Sequence, residues 1–228
     1  MRENVQLNGR DVIICHPEKP NGKWVLKTEY FDDFPEVQNV LLDRGYYIAH
    51  IKNKTRWHHP SDTDARAELA QYMNDRFNVN KKCAIIGMSC GGMQGIYFAS
   101  KYPELVSCMY LDAPVVNLLS CPGGVGKGAC ALEQFSSHTG MDLIELLGYR
   151  NHPLDHLPNL VKHNIPLFLV SGDSDKVVPY DENGKYINKI YTENNCTIET
   201  VIKEGGDHHP HGLTDNTPII DFIDKYSE

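Results

Sequence analysis

The sequence predicts an α/β fold in which a mostly parallel sheet is covered by helices, and three observations lead there. Short apolar runs rich in β-branched residues recur along the chain. Helical patterns separate them, which is the alternation of parallel strands and crossover helices. The length of 228 residues is one that a single sizeable core can fill.

Strands are expected over 12–15, 24–31, 46–51, 83–88, 108–111, 167–170 and 197–202, where segments such as VIIC, CAIIGM and LFLV are short, apolar and bounded by polar residues. Residues 35–44 read as a helix closed by Gly45, since glycine takes the left-handed conformation that ends a helix. Residues 64–77 form a second helix, with Asp62 and Asp64 suited to its positive N-terminal end. A third, 92–101, stops before Pro103, and 182–191 and 218–226 complete the set.

Residues 113–163 break the alternation, being longer than an ordinary connection. They are expected to form a helical cap-like insertion within one domain spanning 1–228. The glycine cluster CPGGVGKG inside this segment is not a phosphate loop, because Cys121 stands where such a loop requires glycine and Gly128 where it requires Ser or Thr.

The formal net charge of −8, with basic residues scattered rather than striped, argues against nucleic acid as partner. The N-terminal run MRENVQLNGR is polar and shows neither an export signal nor a membrane span, so a cytoplasmic protein without membrane association is expected. Seven dispersed cysteines, without close pairs or metal-ligand spacing, read as reduced thiols.

The strongest local signal is Gly87-Met88-Ser89-Cys90-Gly91, lying after an apolar strand and opening a helix. This is the context of a nucleophile elbow, whose sharp turn exposes the serine hydroxyl and needs glycines where the chain crowds itself. A serine hydroxyl is a weak nucleophile until a base takes its proton. An acid and a base follow downstream, each just after an expected strand: Ser171-Gly172-Asp173-Ser174-Asp175, and Gly205-Gly206-Asp207-His208-His209-Pro210-His211. The order serine, acid, histidine is that of the α/β-hydrolase arrangement.

The elbow GMSCGG, the acid loop GDSDKVVP and the ending GGDHHPHGL with TPIIDFI resemble the α/β-hydrolase superfamily over nearly the whole chain. Within it, the layout is similar to the acetyl-xylan-esterase, dienelactone-hydrolase and prolyl-oligopeptidase-like branches. Their acid loop, glycine, two residues, then the acid, implies Asp175, with Asp173 and Asp112 as alternatives. His208 is the expected base, ahead of His209 and His211. The chain departs from many members in carrying Glu29-Tyr30-Phe31 where they have His-Gly-Gly. The oxyanion hole is therefore expected from the backbone amides of Cys90 and the Tyr30 region.

Three adjacent histidines also invite a metal reading, but neighbours on a loop point in different directions, and no metal and no cofactor are expected. Trp57 and His209 are candidate substrate-binding residues, Trp57 as a platform for a sugar or acyl group. The resulting expectation is a carboxylic-ester hydrolase acting on a small-molecule ester such as an acylated carbohydrate. A small-peptide serine peptidase is the alternative within enzymes, and a ligand-binding protein that has lost turnover is the alternative outside them.

Overall fold

In the computed structural model, which describes residues 1–227, eight strands form one sheet in the order β1-β2-β4-β3-β5-β6-β7-β8. The strands are β1 (Arg2–Leu7), β2 (Arg10–Cys15), β3 (Trp24–Lys27), β4 (Tyr47–Ile51), β5 (Cys83–Met88), β6 (Val106–Asp112), β7 (Leu167–Gly172) and β8 (Ile198–Lys203). The β1–β2 and β2–β4 pairs are antiparallel and every other pair is parallel. The central strands β3 to β7 are buried on both faces, which is why they read as continuous apolar runs rather than alternating ones.

The strand β1 was not expected, because RENVQL is an edge strand whose residues alternate between exposed and half-buried and carries little apolar signal. Asn8-Gly9 joins it to β2 with φ of 48° and 79°, the two left-handed residues of a tight hairpin turn. That dipeptide was the legible cue.

The helices are α1 (Glu36–Asp43), α2 (Pro60–Phe77), α3 (Cys90–Lys101), α4 (Leu132–Thr139), α5 (Leu143–Gly148), α6 (Pro153–Lys162), α7 (Gly184–Glu193) and α8 (Thr217–Tyr226). Helix α2 begins four residues earlier than expected, capped reciprocally by His59 and Asp62, while Asp64 instead pairs with Lys101 on α3. Within 113–163 the cap-like elements are α4 and α5. Helix α6 lies in the layer covering the sheet, where Leu157 and Leu160 join the main core and Ser100 on α3 bonds His156 at 2.9 Å. The glycine cluster folds around a carboxylate of this chain: Glu182 accepts from the Lys127 amide at 2.9 Å and from the Ser120 hydroxyl at 2.6 Å. Among the described residues no helix is long and apolar enough to cross a membrane.

Strand β3 is shorter than expected. After Lys27 the chain leaves the sheet, and Tyr30 and Phe34 take left-handed conformations with φ of 53° and 47°. The Lys27 side chain is 1 % exposed and its ammonium donates to the carbonyl of Asp33, so one buried amine holds the turn. Burial pushes this amine down to about 8, against the pull of the nearby Asp33 and Glu36 carboxylates. The folded state thus binds this proton less readily than the unfolded chain. The cost is fully present below about pH 8 and is relieved as pH rises toward the ordinary lysine value of 10.5. Across that window the parent should gain stability relative to Lys27→Met by on the order of 3 kcal/mol. Urea melts at several pH values measure it, and a flat difference would refute the account.

Candidate active site

The carboxyl ends of β3, β5, β6, β7 and β8 all open on one edge of the sheet, where an open parallel sheet places its site. Ser89 occupies the turn from β5 into α3 with φ 51° and ψ −119°. Such a conformation costs a non-glycine residue on the order of 1–3 kcal/mol and persists only where neighbours over-determine it. Here they do: the Ser89 amide donates to the Asp112 carbonyl at 2.9 Å, and the Ser89 carbonyl accepts from Val115 at 3.1 Å and from Gly92 at 3.0 Å. A Cβ on Gly92 would lie 2.5 Å from Cβ of Pro114, so the turn closes only with glycine there.

Asp175 follows β7 and His208 follows β8. With its proton on Nδ1, His208 donates to Asp175 Oδ2 at 2.7 Å and presents Nε2 to the Ser89 hydroxyl at 3.1 Å. The other carboxylate oxygen accepts from the Val177 and Val178 amides, each at 2.8 Å. Burial pushes the Asp175 carboxyl up, but the His208 and amide hydrogen bonds together outweigh it and hold the group below the usual carboxylate range. The two loops meet backbone to backbone, since a Cβ on Gly172 would fall 2.1 Å from the Gly206 carbonyl oxygen.

The alternatives left open by the sequence are now placed. Asp173 is exposed and accepts from the Gly205 amide at 2.8 Å, tying the two loops together. Asp112, at the end of β6, bonds His211 Nδ1 at 2.9 Å, and its second oxygen accepts from the Tyr110 hydroxyl at 2.9 Å and the Gly212 amide at 2.6 Å. Two carboxylate–imidazole pairs therefore stand side by side, with the His208 and His211 rings 5.1 Å apart. Sequence reasoning missed the second pair, although an aspartate ending a strand and a third histidine in HHPH were its visible halves.

A cleft of about 400 Å³ opens over Ser89 and His208. Tyr30, Phe34, Arg56, Trp57, Cys90, Cys121 and His209 contribute to its walls. Cys90 supplies the first amide of α3, where a helix leaves its N–H groups free of intrahelical partners. Its thiol is 3 % exposed and burial pushes it up to about 11, so it is no nucleophile. The segment leading to Tyr30 is tied to the elbow at Thr28, whose hydroxyl donates to the Gly91 carbonyl at 2.6 Å. Behind this loop sit Asn53, Arg66 and Gln94. Asn53 donates to the Thr28 carbonyl at 2.8 Å, and the fully buried Arg66 donates to Gln94 at 2.9 Å. The sequence gives little sign of this polar cluster, because Arg66 interrupts the apolar face of α2.

Trp57 is not the open platform expected of it. It is 3 % exposed, its indole N–H donates to Gln134 at 3.3 Å, and its ring meets Phe135 edge-on at 5.8 Å, so the cap covers it and leaves it as cleft wall. His209 is exposed at the rim and stacks on Phe34 at 5.4 Å.

A family model described as the prolyl oligopeptidase family matches residues 34–227. The acylamino-acid-releasing enzyme of Rattus norvegicus is 22% identical over 141 residues, which are 60% of this chain and 19% of that protein. Among solved structures, acylaminoacyl peptidase of Pyrococcus horikoshii superposes with a TM-score of 0.74 at 14% identity, over 99% of this chain and 40% of that one. A puromycin-hydrolyzing peptidase of Mycobacterium tuberculosis gives 0.74 at 14%, over 99% and 39%. Dipeptidyl peptidase 4 of Porphyromonas gingivalis gives 0.70 at 15%, over 99% and 35%. The chain thus spans two fifths or less of the length of each of these relatives.

These matches correct the expectation of a carboxylic-ester hydrolase with a small-molecule ester as its partner: the matched family is one of oligopeptidases. The α/β-hydrolase resemblance stands, narrowed to one of the branches it included. With most of its length matched by that family model, the chain belongs to the prolyl oligopeptidase family.

Proposed function

We propose that this chain is a serine peptidase that hydrolyses amide bonds in small peptides. Ser89 is the nucleophile, His208 the general base and Asp175 the residue that fixes the imidazole tautomer. The observation that carries this reading is the continuous hydrogen-bonded line from Asp175 through His208 to the Ser89 hydroxyl, in a chain of this family.

In the first step Ser89 Oγ attacks the scissile carbonyl carbon while His208 Nε2 takes its proton. The oxyanion is stabilised by the Cys90 amide, backed by the N-terminal end of α3, and by an amide from the Tyr30 turn. His208 then gives its proton to the leaving amine, and the C–N bond breaks to leave an acyl-enzyme. A water that loses its proton to His208 attacks the acyl carbon, which releases the carboxylic acid and restores Ser89. The open cleft, with Arg56 and Asp33 as its charged lining residues, suits a short polar peptide. The dispersed free thiols favour a reducing, cytoplasmic setting.

The test is a panel of fluorogenic aminoacyl and acylaminoacyl amides, run beside fluorophosphonate labelling followed by peptide mass spectrometry. A single adduct on Ser89 together with release of amine from some of the amides is expected. Labelling of Ser89 with every amide left intact would overturn the peptidase assignment.

A further inference from the structure

Beside the Ser89–His208 pair lies a group of imidazoles that the proposed chemistry uses only in part. The rings of His208, His209 and His211 form a near-equilateral triangle, with centroids 4.8 Å, 5.1 Å and 4.9 Å apart. Each pair of rings is steeply inclined, at 67°, 76° and 83°, so the three fan around a common centre instead of stacking. One nitrogen from each ring lies within 4.8 Å of the others. The sequence-based view that neighbouring loop histidines point apart does not hold here, because the chain turns at Pro210 and brings His211 back beside His208.

Two of the rings are already prepared as ligands. His208 and His211 each commit Nδ1 to a buried carboxylate, Asp175 and Asp112, which fixes the tautomer and leaves Nε2 with its lone pair, turned in His208 toward the Ser89 hydroxyl. A carboxylate behind a histidine in this way is the arrangement that orients imidazole toward a metal and raises its basicity. His209, exposed at the rim, brings the third imidazole to the same centre. Zinc–nitrogen bonds of about 2.0–2.1 Å in a tetrahedral site set ligand nitrogens roughly 3.4 Å apart, so the triangle must tighten by on the order of 1 Å. Exposed His209, at the rim, closes the two sides it shares, and the side between His208 and His211 closes by small tilts of those two rings about their carboxylate bonds.

We propose that His208, His209 and His211 form a three-imidazole site for a borderline transition-metal dication such as Zn²⁺, and that its occupancy switches the active site off. A neutral nitrogen set selects Zn²⁺, Ni²⁺ or Cu²⁺ over Mg²⁺ or Ca²⁺. Coordination engages the His208 Nε2 lone pair, so the ring no longer accepts the Ser89 proton. The binding half of the proposal stands on the three rings alone, and the inhibitory half rests on the role assigned to His208.

Two readouts separate these halves in the full chain. Co²⁺ titration reports binding through the visible d–d absorption of a four-coordinate nitrogen site. The rate of fluorophosphonate labelling at increasing Zn²⁺, with each variant compared with its own metal-free rate, reports inhibition. Zn²⁺ is expected to slow labelling of the parent. His209→Ala should raise the half-inhibitory concentration by about tenfold or more, while His163→Ala, a histidine remote in sequence from this loop, leaves it unchanged. Equal inhibition of all three proteins, or none, would overturn the proposal, as would a Co²⁺ spectrum that His209→Ala does not alter. If the metal-free parent fails to label, the peptidase reading falls, and the Co²⁺ spectrum still decides the site.

Discussion

Ser89→Ala is expected to lower amide turnover by about 10⁶-fold while leaving the melting temperature within about two degrees of the parent. The first figure follows from removing the only atom that forms a bond to substrate, which leaves transition-state stabilisation by the oxyanion donors and binding alone. The second follows from the position of the side chain. Ser89 precedes α3 but makes no side-chain capping bond, so alanine costs the helix nothing there. The left-handed backbone is held by main-chain bonds to Asp112, Val115 and Gly92 that alanine retains. Only the hydrogen bond to His208 is lost. Single-turnover kinetics on an aminoacyl amide and a thermal melt of the same preparation measure both quantities. A loss of only tenfold would place the nucleophile elsewhere.

Asp112→Ala is expected to do the reverse, unfolding the protein more readily while sparing the chemistry of the molecules that remain folded. Its carboxylate is fully buried and satisfies His211, the Tyr110 hydroxyl and the Gly212 amide together. Removing a buried carboxylate that three groups bond costs about 3–5 kcal/mol, because those polar groups keep their desolvation penalty without compensation. For a domain of this size that corresponds to a melting temperature lower by roughly 10 °C. The Ser89 amide bonds the Asp112 backbone carbonyl, which the substitution leaves in place. Urea titration gives the stability, and labelling rate per folded molecule gives the chemistry. A variant as stable as the parent but devoid of labelling would make Asp112 the orienting acid, contrary to the hydrogen bonds seen here.

What could be read from the sequence was set by how far each feature depends on near neighbours along the chain. Strand β5, the glycine elbow and the loops after β7 and β8 carry their signal within a few residues, so Ser89, Asp175 and His208 were nameable before any geometry. The Asp112–His211 pair joins residues 99 positions apart, and no local pattern announces it. Trp57 reads as an open platform because what covers it, Gln134 and Phe135, belongs to the cap. The Thr28, Asn53 and Arg66 cluster escaped notice for the same reason: polar residues on three separate segments become one support only after the sheet has formed. Substrate class was the least legible, since esters and amides are attacked through the same acyl chemistry, and it was the family match that turned the reading from ester to peptide.

The contact between Gly172 and Gly206 divides the molecule into parts that tolerate change differently. Because the acid loop and the histidine loop touch through main-chain atoms, the distance from base to acid is inherited largely from the sheet. Exposed residues of α4 and α5 can therefore be exchanged without retuning the proton relay, whereas Trp57, Phe135 and Leu146 pack in one cluster with Cys90 and Val178 beside it. The two glycines allow no such freedom. A library aimed at what the cleft admits is best built at exposed cap positions and closed at these two glycines.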